Sequence, residues 1–348
     1  MHRRHPRRYL IPAFALGLLY LFLFPHPSGK EGFFRPVWSR PVPGPSAAGE
    51  GRAVSFRAGR NFGFVRPDGG LEYVGEELFG VALSDAGFIN YPRVADNFVF
   101  QDPRGRFLYG VRGFGYPVLS PGGGELYSVS TDLNTLKRLG RDGEVVWAAS
   151  FFSPITSLAL SGEECVVGLL DGTAKLIDAK GRIEQELVPA GSRIPVILGV
   201  AFRQDRLAVL SGIDPQRLSL LARKNGAFAG GEPLATGSDL RRESLMRFTV
   251  DGNFLAYETE SGLALQELDG KAGAVLSGRL LALDSSPEGI VAVGQRDGEG
   301  CLLRLLRPLS SPVYSRRLPA ADLFLRFLDG GLLVGFPGRL LRADYLEG

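Results

Sequence analysis

Histidine is missing from most of this sequence: His2, His5 and His26 are its three imidazoles, and all lie in the first 26 of 348 residues. Beyond them a Ser-His-Asp triad, a His-based metal site and a histidine general base are excluded. Cysteine is almost as scarce. Cys165 and Cys301 stand 136 residues apart, which rules out a disulfide framework and a closely spaced Cys/His metal cluster and leaves two small buried hydrophobes. No catalytic residue, no metal ligand and no cofactor is assigned. Helix-period segments are missing from the region beyond residue 50, so a doubly wound α/β enzyme is hard to fit.

A basic face is missing too, although the formal net charge is +3. Residues 1–50 carry seven basic side chains (Arg3, Arg4, Arg7, Arg8, Lys30, Arg35, Arg40) against Glu31 and Glu50, so the other 298 residues hold 33 basic and 35 acidic groups. A slightly acidic body has no electrostatic claim on nucleic acid, because neutralising phosphates needs clustered positive charge.

What is present begins with a leader. Residues 1–8 form a basic n-region, and residues 9–24, YLIPAFALGLLYLFLF, are apolar except for Pro12 and Gly17. At 1.5 Å per residue such a helix spans about 24 Å, short of a bilayer core of about 30 Å, which suits a signal peptide or a minimal anchor. Small residues should follow a cleaved h-region, but PHPSGKEGFF stands there. The expectation is an uncleaved single-pass signal anchor in the inner (cytoplasmic) membrane, its N-terminus cytoplasmic and the body extracytoplasmic by the positive-inside bias. Residues 25–50, with six prolines and four glycines, read as an extended linker. In it, Phe33, Phe34 and Trp38 suit either the membrane interface or packing on the body.

Residues 51–348 repeat. Taking Gly87, Gly123, Gly162, Asp205, Gly252, Gly289 and Gly330 as turn markers, the steps are 36, 39, 43, 47, 37 and 41 residues, the period of a four-stranded propeller blade. A second set, Gly105, Gly143, Gly181, Gly226 and Gly270, steps by 38, 38, 45 and 44. The fold expected is therefore all-β, a β-propeller of seven blades of four antiparallel strands behind an N-terminal transmembrane helix. Eight blades is the alternative if the first unit, residues 52–77, stands alone. The fragments at the two ends fit ring closure, with N-terminal strands completing the last blade and leaving no bare sheet edge.

The segment Leu139-Gly140-Arg141-Asp142-Gly143-Glu144-Val145-Val146-Trp147 resembles the strand-turn-strand motif of the quinoprotein-like (PQQ-like) propellers. Residues 177–183 match its first half, but Gln185 stands where the tryptophan would. The spacing is also similar to the WD40-like group, without a Trp-Asp or Gly-His pair. The resemblance implies a propeller with a central channel, used as an interaction platform in the bacterial cell envelope. The family includes the propeller lipoprotein of the outer-membrane assembly machinery, whose lipid-bearing cysteine this chain lacks. The adjacent-cysteine pair of the quinone-dependent dehydrogenases is also missing, and their chemistry is not carried over.

Binding is expected on loops, which a rigid propeller scaffold presents. Phe151 and Phe152 sit in one connection, Arg241 and Arg242 in the longest polar one, and Arg316 and Arg317 before Leu318-Pro319. The function expected is a non-enzymatic, membrane-tethered scaffold with an envelope protein as partner. The alternative is a propeller enzyme acting on carbohydrate with Asp, Glu, Tyr or Arg chemistry, which needs converging carboxylates at the ring centre.

Overall fold

The structure is a computed structural model that describes residues 32–44, 51–93, 97–112, 115–120, 122–268, 273–308 and 312–347. The run at residues 9–24 lies outside them. Among the described residues there is no helix long and apolar enough to cross a membrane.

Eight antiparallel sheets follow one another along the chain. An N-terminal strand, β1 (Gly32–Pro41), precedes them. Blade 1 holds β2 (Val54–Ala58), β3 (Asn61–Val65) and β4 (Leu71–Glu76); blade 2 holds β5 (Gly80–Ser84), β6 (Gly87–Tyr91), β7 (Asn97–Gln101) and β8 (Phe107–Arg112). Blade 3 is β9 (Tyr116–Leu119), β10 (Leu126–Val129), β11 (Thr135–Leu139) and β12 (Val145–Ser150). Blade 4 is β13 (Ile155–Ser161), β14 (Glu164–Leu169), β15 (Ala174–Ile177) and β16 (Ile183–Leu187). Blade 5 is β17 (Ile194–Arg203), β18 (Arg206–Ile213), β19 (Arg217–Lys224) and β20 (Ala227–Gly230), with β21 (Leu234–Ala235) also paired to β19. Blade 6 is β22 (Met246–Phe248), β23 (Phe254–Thr259), β24 (Gly262–Glu267) and β25 (Gly273–Ser277). Blade 7 is β26 (Leu280–Ser285), β27 (Val291–Asp297), β28 (Gly300–Leu306) and β29 (Pro312–Leu318). Blade 8 is β30 (Phe324–Leu328), β31 (Gly331–Phe336) and β32 (Arg339–Glu347), completed on its outer side by β1.

Period-2 alternation explains why these runs become strands buried on both faces. In β14, Cys165, Val167 and Leu169 pack toward blade 3 while Val166 packs toward blade 5. In β18, Leu207 and Val209 face blade 4, and Ala208 and Leu210 face blade 6. Eight hydrophobic clusters result, each straddling two consecutive blades, the last joining Leu333 and Leu340 of blade 8 to Phe56 and Val65 of blade 1. The ring is closed by packing as well as by β1. Turns between the first and second and between the third and fourth strands lie on one face, here called lower. Turns between second and third strands and the blade-to-blade connections lie on the upper face.

The seven-blade expectation is corrected to eight, because the first unit is a blade of its own. Its three strands occupy the second, third and outer positions. A Cβ at Gly69, in the β3–β4 turn, would stand 2.9 Å from the Trp38 ring on outer strand β1. In the same way Gly105 of the β7–β8 turn meets Tyr73 on β4, and Gly181 of the β15–β16 turn meets Trp147 on β12. Among the described residues blade 1 thus has no inner strand, and so no first-to-second-strand turn of the kind the seven markers count. Closure comes from β1 rather than from residues 52–77, so the linker reading is corrected for residues 32–41: nine β1 residues pair with β32. Phe34 packs edge-on against Tyr314 and Tyr345, and the Trp38 indole donates to the Pro67 carbonyl at 2.9 Å, which places both on the body.

Each aromatic-on-glycine contact locks an outer strand to the next blade. Gly181 has φ +81° and its would-be Cβ lies 2.7 Å from Trp147, whose indole N–H donates to Ala179 O at 3.2 Å. Gly181→Ala is therefore expected to cost about 2–4 kcal/mol, from the left-handed backbone and the collision with the indole. Chemical denaturation against Gly162→Ala, with φ +61° but open space around it, checks it: the Gly162 variant should lose only the backbone part.

Candidate functional site

The upper face of blades 3, 4 and 5 carries exposed apolar side chains on adjoining turns. Leu133 sits in the β10–β11 turn, Phe151 to Pro154 link blade 3 to blade 4, Leu170 lies in the β14–β15 turn, and Ile194 opens β17. Backbone hydrogen bonds tie these pieces side by side: Ile155 N–H to Leu133 O at 2.7 Å, Phe151 N–H to Asn134 O at 2.8 Å, and Leu170 N–H to Pro154 O at 2.9 Å. The Asp171 N–H donates to Ser153 Oγ at 3.0 Å, and a Cβ at Gly172 would meet Pro195 at 2.5 Å. On this frame Phe152 stands fully in solvent at 111% relative exposure, with Leu170 at 51%, Ile194 at 47% and Leu133 at 37% beside it.

Leu133 also has φ +60°. A left-handed leucine costs roughly 1–2 kcal/mol where Asn or Gly would cost little, and the Leu133 side chain joins none of the hydrophobic clusters between the blades. Strain kept in an exposed apolar side chain points from geometry to function. Carboxylates rim the patch. Asp132 accepts from the Ser130 hydroxyl and the Asn134 N–H, which hold its carboxyl below the usual range. Asp171 accepts from the Thr173 N–H and hydroxyl at 2.9 and 2.8 Å. The arrangement can dock an apolar side chain flanked by cationic groups.

The six residues singled out from sequence do not come together. Phe151 is buried in the cluster between blades 3 and 4, and its neighbour Phe152 heads the patch. Arg242 grips Glu258 with two bonds, at 2.9 and 2.6 Å, and Glu258 is itself buried, so this arginine pins the long connection to blade 6. Arg241 pairs in solvent with Asp239. Arg316 and Arg317 are corrected from loop to strand: both lie in β29, the outer strand of blade 7, where Arg317 pairs with Asp297. Leu133, Leu170 and Ile194 were missed, since an exposed leucine at a strand end carries no distinguishing pattern; a leucine where Thr131-Asp132-Leu133-Asn134 calls for a turn residue was the available signal.

At the lower mouth of the channel the inner strands exchange polar contacts from blade to blade. Arg203 donates to Thr249 O, Arg247 to Asp284 at 3.0 Å, and the Phe327 N–H to the other Asp284 oxygen at 2.6 Å. Arg326 of β30 then reaches past blade 1 and grips Asp85 of blade 2 with two bonds of 2.6 Å. Between them lies Ser55 of β2, whose N–H donates to Asp85 at 2.9 Å and whose hydroxyl accepts from Arg326 at 2.8 Å. The pair caps the edge of β2, beside which no strand lies among the described residues. Burial pushes the Asp85 carboxyl up, but the bonds from Arg326 and Ser55 outweigh it and hold it below the usual range.

Both thiols are buried, and burial pushes that of Cys165 up to about 12 and raises that of Cys301. Neither should react with maleimide in the folded protein, and both should react in denaturant, a difference that mass spectrometry reads directly.

A family model described as beta-propeller protein matches residues 1–344. Among solved structures the chain is similar to BamB from Moraxella catarrhalis, at 13% identity and a TM-score of 0.63 over 90% of this chain and 100% of that one. It is also similar to the computationally designed Ika8 protein, at 16% identity and a TM-score of 0.61 over 92% and 98% of the two chains. A third likeness is to the dihydro-heme d1 dehydrogenase NirN in complex with DHE, at 19% identity and a TM-score of 0.53 over 69% and 56%. At such identities the likeness is one of fold. No curated protein matches the chain in sequence.

Proposed function

The chain belongs to the beta-propeller protein family, and we propose that it acts as a membrane-tethered, extracytoplasmic scaffold of the bacterial cell envelope that docks a protein partner on the upper face of blades 3 to 5. The observation that carries this reading is the Phe152 patch: a fully exposed phenylalanine on a rigid, hydrogen-bonded frame beside a strained leucine. Interfaces concentrate their binding energy in such aromatic anchors ringed by polar groups. The basic n-region and apolar run of residues 1–24 support the anchor and its orientation. The turn motifs that resemble quinoprotein-like propellers support an envelope platform.

The carbohydrate enzyme is the weaker reading. Glycoside chemistry uses two carboxylates across the scissile bond. The seven inner strands contain a single carboxylate, Asp284, and Arg247 and the Phe327 N–H already occupy its oxygens.

Leu133→Asn separates docking from folding. The substitution relieves the left-handed strain, so thermal stability should stay level or rise, while recovery of a crosslinked envelope partner falls. Equal recovery from wild type and variant would count against the patch.

A further inference from the structure

The position of β1 turns the ring into an oriented object. Gly32, the first β1 residue, pairs with Glu347 at the lower end of β32, and Pro41 pairs with Arg339 at the upper end. Seven residues, 25–31, separate Gly32 from the apolar run that ends at Phe24. Fully extended, seven residues reach about 25 Å. The lower, outer corner of blade 8 is therefore held within that distance of whatever surface residues 9–24 occupy. Blade 4 lies four places away from blade 8 in a ring of eight, which is directly opposite. The docking patch is centred on blade 4 and lies on the upper face. It is displaced from the Gly32 corner across the ring, where each blade's four strands alone span about 14 Å at the usual spacing, and along the strands by a further 17 Å or so.

We infer that the propeller rests with the lower face of blade 8 toward the bilayer and presents the Phe152 patch at the point farthest from it, to an extramembrane protein domain rather than to a membrane-embedded one. The inference rests on the anchored reading proposed above. It follows from where the chain enters the ring: had the closing strand run the other way, the upper face would be turned to the bilayer, and had the whole of residues 25–50 been free as a linker, no face would be preferred. The partner that fits is a water-exposed domain offering an apolar side chain with Lys or Arg beside it, matching Phe152 between Asp132 and Asp171.

Energy transfer tests it. Full-length Arg35→Cys and Phe152→Cys variants, each labelled with a donor fluorophore, are reconstituted into vesicles whose lipid headgroups carry an acceptor. Both positions are exposed, and the buried native thiols stay unlabelled. Transfer should be at least severalfold more efficient from position 35 than from position 152. Equal transfer, or more from position 152, in chains that resist carbonate extraction would overturn the orientation alone. Release of the chain by carbonate would overturn the anchored reading and this inference with it.

Discussion

Arg326→Ala is expected to lower stability by about 2–4 kcal/mol, because it removes a bidentate partner from a largely buried carboxylate and leaves the Ser55 edge without a cap. The side chains of Arg326 and Asp85 are 30% and 18% exposed, so solvent screens part of the interaction and the upper end of the range for buried pairs is not reached. In melting temperature this amounts to roughly 3–6 °C for a domain of about 300 residues. The effect should be larger than for Arg247→Ala at the equivalent place between blades 6 and 7. There, β22 and β26 are both present and the Arg247 side chain is 54% exposed. Among the described residues blade 1 has no inner strand, and the Arg326–Asp85 pair, with Ser55 between them, makes the polar crossing from blade 8 to blade 2.

The same pair sets a pH dependence. The Asp85 carboxyl titrates below its unfolded counterpart, whose ordinary value is about 3.9. The stability it contributes is thus complete above that value and is lost as pH falls through the lower, folded one. Wild type should exceed Asp85→Asn in melting temperature at neutral pH, and the gap should close below about pH 4. A gap that persists undiminished in acid would show that Asp85 acts through shape and not through charge.

Phe152→Ala is expected to weaken partner binding by about thirtyfold or more, the cost of removing a central aromatic anchor, while leaving the melting temperature unchanged, since a side chain at 111% exposure packs on nothing in the free protein. Phe151→Ala should do the reverse. Its ring belongs to the cluster with Trp147 and Ile155, and truncation leaves a cavity costing about 3–5 kcal/mol. Two adjacent phenylalanines thus give opposite readouts, one in binding and one in stability. If both variants lost stability together, Phe152 would be a packing residue.

Much of the ring is legible in the sequence. The seven turn markers are the first-to-second-strand turns of blades 2 to 8. The count came out one short for a physical reason: a blade without an inner strand has no such turn. The other set of turns held the missing signal. Asp68-Gly69 lies 36 residues before Gly105, on the same beat, and Gly69 receives the Trp38 ring as Gly181 receives that of Trp147. Strand β1 was harder to see, because Pro36 and Pro41 disguise it as linker; an outer strand tolerates proline where its N–H would face solvent. The arginines misled for another reason. Nothing local to Arg242 reveals that its carboxylate, Glu258, stands sixteen residues on, so an internal clamp and a free loop charge look alike in sequence.

The most direct measurement is photo-crosslinking in native membranes, with a benzophenone side chain at position 152 and, as control, at position 316 on the outer strand of blade 7. The scaffold reading predicts one discrete protein adduct from position 152, lost when Leu133→Asn is added, and none from position 316. An adduct pattern that is the same from both positions, or no adduct from position 152, would contradict it.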